Sequence, residues 1–220
     1  MRRLALAVLA AASIGAQPVH AQDLSPVVGK SEQIGGRGVA AWAVAWNRWI
    51  LAFKRDALDT EGDCLPAPGG PVQFLSGRGP DDEHVVTVNC TVTSDRYLLL
   101  GTPLAICTDV VLPRKYRPTD AGLRRCAREF WGDVADPHPR LVLDGAPLPN
   151  GFVVHSPAFR FTLPSRDNLF GRPGVRSGRA AIAGRPVMLR PLPPGHHTLI
   201  QGVHYRITHN YVVVFQLTVV

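Results

Sequence analysis

Histidines, cysteines, carboxylates and arginines are the side chains through which this 220-residue sequence could do chemistry. The histidines to weigh are His84, His138, His155, His196, His197, His204 and His209. The last four could form a zinc or copper site, but metal ligands must share a face. On a strand His196 and His197 point to opposite sides, and so do His204 and His209, five positions apart. Neither an HxH nor an HExxH spacing occurs, so the sequence designates no metal ligand and no cofactor-binding residue. No Gly-x-Ser-x-Gly elbow is present, and Ser76-Gly77 and His155-Ser156 lack a visible third partner, so no catalytic residue is designated either. Asp81-Asp82-Glu83 follows Gly79-Pro80 and reads as a solvated hairpin tip, while Asp144 and Asp167 sit in turn chemistry. Gly35-Gly36-Arg37-Gly38 lacks the preceding strand and the Lys-Ser/Thr ending of a phosphate loop. Catalysis would require the fold to gather two or more of His84, His155, Asp144, Asp167 and the late histidines into one pocket.

Cysteine chemistry is more definite. Cys64, Cys90, Cys107 and Cys126 are the whole complement, and no CxxC occurs among them, which disfavours zinc-ribbon and thioredoxin-type sites. Four cysteines allow three disulfide connectivities. Sequential pairing, Cys64–Cys90 and Cys107–Cys126, needs the least topological complication and is the expected arrangement.

The formal net charge is +7, and because only Lys30, Lys54 and Lys115 are lysines, arginine dominates the basic side. Arginine's planar fork binds carboxylate and phosphate in a bidentate way, which fits an acidic ligand. The densest run, Arg124-Arg125-Cys126-Ala127-Arg128, alternates with apolar positions as a solvated helix face does. No basic stripe interleaved with aromatics appears, so a nucleic-acid partner is not expected.

The elements that must position these residues follow from periodicity. Trp42, Trp46, Trp49 and Phe53 recur at intervals of four, three and four, which predicts a helix over about 37–54 whose aromatic face packs on a sheet. A second helix is expected over 119–131, capped by Thr119 or Asp120, with Leu123, Cys126, Ala127 and Phe130 inward. If Cys107 ends a strand, its bridge would tie that helix back to the sheet. Val85 to Thr93 alternates through Val86, Val88, Cys90 and Val92, and Phe159, Phe161 and Leu163 alternate with Arg160 and Thr162. Tyr97 to Ile106 reads as one long central strand, Leu141-Val142-Leu143 enters a tight turn at Asp144-Gly145, and several strands follow Val187. Gly 21 and Pro 20 favour short strands joined by turns, with no βαβ rhythm and no repeat. The expected fold is mainly β: an antiparallel, jelly-roll-like β-sandwich with one or two packed helices and two disulfides.

Arg2 and Arg3, the apolar run Leu4 to Ile14 and Val19-His20-Ala21 read as a secretory signal peptide over 1–21, cleaved after Ala21. The run is too short to span a bilayer, and Tyr211 to Val220 reads as a buried strand, so no transmembrane segment is expected in the mature chain. A flexible lead-in over 22–36 and a single β-sandwich domain over 37–220 complete the expected organisation. The protein is expected in the periplasm or outside the cell, where thiols oxidise.

These segments together resemble a family of secreted bacterial four-cysteine β-rich proteins with a Trp-rich N-terminal helix, for which no activity is assigned. The matching stretches are Trp42, Trp46 and Trp49, then Leu58-Asp59-Thr60-Glu61-Gly62-Asp63-Cys64, Gly70-Pro71-Val72-Gln73-Phe74-Leu75-Ser76-Gly77 and Val88-Asn89-Cys90-Thr91-Val92. Leu143-Asp144-Gly145, Ser156-Pro157, Asp167-Asn168-Leu169-Phe170-Gly171 and Leu192-Pro193-Pro194-Gly195-His196-His197-Thr198-Leu199 continue the series. The resemblance implies the same cysteine arrangement and a secreted β-rich domain. The chain departs from the family at Tyr97-Leu98-Leu99-Leu100 and at 179–190, where relatives carry aromatics.

The functional expectation is a non-catalytic binding or structural module whose ligand, an acidic glycan or envelope component, meets loops at one end of the sandwich. Those loops are 76–84 and 165–178, the second with Arg166, Arg172, Arg176 and Arg179 as a rim. The alternative is an extracytoplasmic hydrolase or metal-binding protein whose site exists only in the fold.

Overall fold

The computed structural model describes residues 25–58, 62–76, 85–101, 104–134, 140–203 and 211–220. The expected leader, the acidic tip at 81–83 and His84, His138, His204 and His209 lie outside the described residues.

A short hairpin of β1 (Gln33–Ile34) and β2 (Arg37–Gly38) leads into α1 (Val39–Leu51), followed by the single turn α2 (Arg55–Leu58). Then come β3 (Gly62–Asp63), β4 (Val72–Leu75), β5 (Val85–Val92), β6 (Tyr97–Leu100) and β7 (Leu104–Thr108). Helix α3 (Asp120–Val134) precedes β8 (Arg140–Leu143), β9 (Ala146–Pro147), β10 (Val154–His155) and β11 (Phe159–Thr162). The chain closes with β12 (Ser177–Gly184), β13 (Val187–Leu189), β14 (Gly195–Val203) and β15 (Tyr211–Val219).

Mainly β architecture, packed helices and both expected disulfides are all present. Antiparallel pairing predominates, but β5 runs parallel to β15 and to β3, and β4 runs parallel to β6. One sheet has the order β3-β5-β15-β14-β8-β9 and a second the order β13-β6-β4. Leu98, Leu100, Val187 and Leu189 of the smaller sheet meet Val88, Cys90, Leu199 and Phe215 of the larger in one dry core. The small sheet's other face, with Val72, Phe74, Leu99 and Met188, packs on α1. Covered on both sides, its strands are apolar almost throughout instead of alternating.

A third sheet lies on the far side of α1. In it β12 pairs with β7 along one edge and with β10 and β11 laid end to end along the other. Ala180 and Ile182 face the α1 side, whereas Ala181 and Ala183 face Leu123, Cys126 and Ala127 of α3. Small side chains on β12 let α3 approach it closely. The Cys107–Cys126 bridge then joins β7 to α3, while Cys64–Cys90 fastens the segment after β3 to β5.

The tryptophan stripe of α1 is a packing face that also donates. Trp42 and Trp46 are buried and Trp49 is half-buried, and Trp49 meets Phe74 edge-on at 5.4 Å between centroids. Each indole N–H reaches a backbone carbonyl: Trp42 that of Ile34 (3.0 Å), Trp46 that of Leu75 (2.9 Å) and Trp49 that of Pro66 (2.9 Å). A buried indole N–H needs such an acceptor, and here the acceptors belong to three separate chain segments.

Three expectations change in detail, and the choice of cap for α3 is resolved. The long strand over Tyr97 to Ile106 is two strands in different sheets, interrupted where Gly101 abuts the Trp46 ring. Thr119 is the cap of α3, its Oγ1 accepting the Gly122 N–H at 3.1 Å. Phe130 is 42% exposed, because Trp131, one position further on, packs against the α3 cluster instead. Residues 25–36, expected as a loose lead-in, are tied down: Val27 bridges Leu189, Arg190 N–H donates to the Pro26 carbonyl, and the Arg190 guanidinium pairs with Glu32 at 2.7 Å.

Candidate functional site

Among the expected catalytic candidates that lie within the described residues, the fold brings Asp144 and His197 together. Asp144 and Gly145 both have positive φ (50° and 81°), and Leu143 pairs with Ala146, which is the two-residue hairpin of type I′ that Asp-Gly favours. From that turn the Asp144 carboxylate accepts the Thr198 N–H at 2.8 Å and meets His197 Nδ1 at 2.6 Å. His197 Nε2 lies 2.9 Å from the Pro193 carbonyl. Both neighbours are acceptors, so the ring is best served when both nitrogens carry protons.

The electrostatics agree with that geometry. The bond to Asp144 raises the His197 pKa above its ordinary value, burial opposes the change and the Pro193 carbonyl reinforces it. For Asp144, burial pushes the carboxyl up, but the bonds from His197 and Thr198 and the nearby imidazolium together hold it below its usual range. With both ring nitrogens engaged, the pair clamps the turn after β8 to β14.

The remaining candidates within the described residues are dispersed. His155 is exposed on β10, and the neighbouring Ser156 Oγ is buried, accepting the Ile182 N–H at 3.0 Å where β10 and β11 meet. His196 and His197 diverge as their adjacency requires, and His196 Nδ1 lies 3.3 Å from Thr218 Oγ1. Asp167 (φ 52°) holds α2, its main-chain carbonyl accepting the Arg55 N–H at 2.8 Å. Among the described residues no three His, Cys, Asp or Glu side chains gather as a metal site would require.

A concave surface does form elsewhere, between α1, β11, β12 and the 163–176 loop. It is a cleft of about 870 Å³ bordered by Arg48, Arg160, Arg172 and Arg179, with Phe161 and Asp109 also in its wall. The volume lies within the ~300–1,000 Å³ of typical small-ligand sites. Alternation in β11 builds one side, turning Phe159 and Phe161 inward and leaving Arg160 and Thr162 outward. Gly178 lets the floor close, since a β-carbon there would run into Phe161, Val110 and the Asp109 carboxylate.

Asn168 builds the loop opposite. Its side chain is buried; Nδ2 donates to the Arg172 carbonyl at 2.7 Å and Oδ1 accepts the Arg172 N–H at 3.1 Å. Gly171 and Gly174 take the left-handed conformations around it (φ 61° and 82°). Arg172 is therefore presented by a tightly bonded loop.

The four arginines differ in availability. Arg179 is fully engaged: Nε with Asp109 (3.2 Å), Nη1 with Asp120 (2.8 Å) and Nη2 with the Pro118 carbonyl (2.7 Å). Its charge is matched and its position fixed. Arg48 uses Nε on the Arg160 carbonyl and lies over the Phe159 ring at 5.5 Å, but has no carboxylate partner among the described residues. The guanidinium groups of Arg160 and Arg172 are exposed and make no ion pair among the described residues. Three cations without an ion-pair partner among the described residues thus face one cleft, a standing attraction for an anion.

Of the rim expected from the 165–178 loop, Arg172 and Arg179 border the cleft, whereas Arg166 and Arg176 lie outside its lining. Arg48 and Arg160 were not anticipated as partners, though the outward phase of Arg160 on its strand was the available signal. The 77–84 part of the other expected loop lies outside the described residues. No family model, curated protein or solved structure matches this chain.

Proposed function

We propose that the protein is an exported binding module that holds an acidic ligand, a glycan or envelope polymer, in the arginine cleft. The observation that carries this reading is the set of three arginines, Arg48, Arg160 and Arg172, that border one concavity and make no ion pair among the described residues. A guanidinium fork meets carboxylate, sulfate or phosphate in two parallel hydrogen bonds, and a cleft wall that excludes water strengthens them. Export is supported by the basic and apolar leader and by two disulfides, which persist in oxidising compartments. No helix among the described residues is long and apolar enough to cross a membrane. The rival reading as a hydrolase rests on Asp144 and His197, whose Nε2 is already bonded to Pro193. Binding of the purified protein to an array of acidic and neutral glycans tests the proposal. Retention on uronate-bearing or sulfated chains, weakened by salt and absent from neutral chains, is the expected result. Uniform failure to bind acidic chains overturns it.

A further inference from the structure

The arginine cleft does not end at Arg48. That residue also borders a second depression of about 460 Å³, with Trp42, Trp49, Phe74, Pro71 and Arg37 among its walls. Trp49 offers this groove only apolar ring, because its N–H is spent on Pro66. Arg37 lies over the Trp42 ring at 5.2 Å, placing a cation at the groove as well. The side chain of Arg48 thus forms a ridge whose two flanks differ in chemistry, with free guanidinium groups on one and aromatic rings and prolines on the other.

An acidic sugar presents the same two chemistries in one residue. Its ring has an apolar C–H face that packs on aromatic side chains, and its carboxylate or sulfate suits an arginine fork. An acidic peptide suits the surface less well, since binding beside β11 as an added strand would need its outward backbone groups. The Arg160 carbonyl on that edge is already taken by Arg48 at 2.9 Å.

Resting on the binding reading above, we infer that the two depressions form one ligand track across α1, which takes a chain of acidic sugars. Acid groups sit on the Arg160–Arg172 side, and a sugar ring farther along the chain lies against the Trp49 side. Affinity must then grow with chain length until both flanks are filled, because the second contact is made within an already bound chain.

Titration calorimetry with defined-length oligogalacturonates and heparin oligosaccharides, one carboxylated and one sulfated, tests the inference. In one series or the other, affinity should rise at least tenfold from dimer to hexamer. Gly69 borders the groove and a β-carbon there meets nothing within 4 Å, so Gly69→Trp obstructs the groove without disturbing the core. That variant should keep dimer affinity and lose the length dependence, whereas Arg160→Ala/Arg172→Ala should weaken every length. Dimer and hexamer binding equally, apart from the few-fold gain from extra registers, overturns the single track and leaves the cleft intact. So does a length dependence that survives Gly69→Trp. Binding at no length overturns the cleft reading itself, and binding of hexaglutamate in place of both sugar series assigns the track to a peptide and overturns the inference.

Discussion

Trp46 lies so close to Gly101 that a β-carbon at position 101 would overlap atoms of the indole ring. The contact places α1 against the point where the chain leaves β6 for β7, and so sets the spacing between the two sheets that flank the helix. Because Trp46 also donates to Leu75, its ring cannot swing away without abandoning that acceptor. Gly101→Ala should therefore destabilise the protein by about 1–3 kcal/mol, the range for overpacking a dense core. Urea denaturation with and without Trp46→Phe checks this. If the smaller ring does not relieve part of the loss, the overlap is not its cause.

Removing the bridge between β7 and α3 is predicted to cost more. Cys107 and Cys126 close a loop with a sequence separation of 19. The chain-entropy account assigns such a loop about 3 kcal/mol, a large part of a typical domain's 5–15 kcal/mol. Cys107→Ala/Cys126→Ala should lower the unfolding free energy by that order in chemical denaturation. A loss well under 1 kcal/mol would mean that burial of Leu123 and Ala127 holds α3 unaided.

Stability should depend on pH through the Asp144–His197 clamp. The His197 pKa is raised in the fold, so its contribution is complete below the unfolded value of about 6.5 and is lost as pH rises through the folded value. The Asp144 pKa is lowered, so its contribution is present above about 3.9 and is lost as pH falls through the folded value. The clamp is strongest between roughly pH 4 and 6.5, given those reference values. Asp144→Asn should therefore destabilise the protein more near pH 5.5 than near pH 9, approximate bounds of the window above. Equal losses at both pH values, measured by denaturant unfolding, would contradict a charged clamp.

Local pattern was legible in the sequence wherever one face of an element is wet. The alternation Val86, Val88, Cys90 and Val92 is the buried phase of β5, and Phe159 and Phe161 that of β11. The Trp42–Trp46–Trp49 spacing marked α1, and sequential cysteine pairing followed from economy of topology. Alternation vanishes in β4, β6 and β13 because both faces of their sheet are covered, so Leu98-Leu99-Leu100 ran on unbroken into the residues of β7. The parallel pairing of β5 with β15 joins residues more than a hundred positions apart, and no local pattern encodes it. The cleft was half legible for the same reason. Arg172 and Arg179 are near neighbours in sequence, but Arg48 and Arg160 are joined to them only by tertiary packing of α1 on β11.

Anion recognition by the cleft is tested most directly by calorimetric titration of one pair of variants. Arg160→Ala/Arg172→Ala removes two of the three exposed cleft arginines, while Arg114→Ala/Arg117→Ala removes two exposed arginines outside the cleft lining, leaving the net charge the same in both. Polygalacturonate or heparin should bind the cleft variant at least tenfold more weakly than the native protein and bind the control with near-native affinity. Equal weakening in the two variants would show that the overall charge, and not the cleft, attracts the anion.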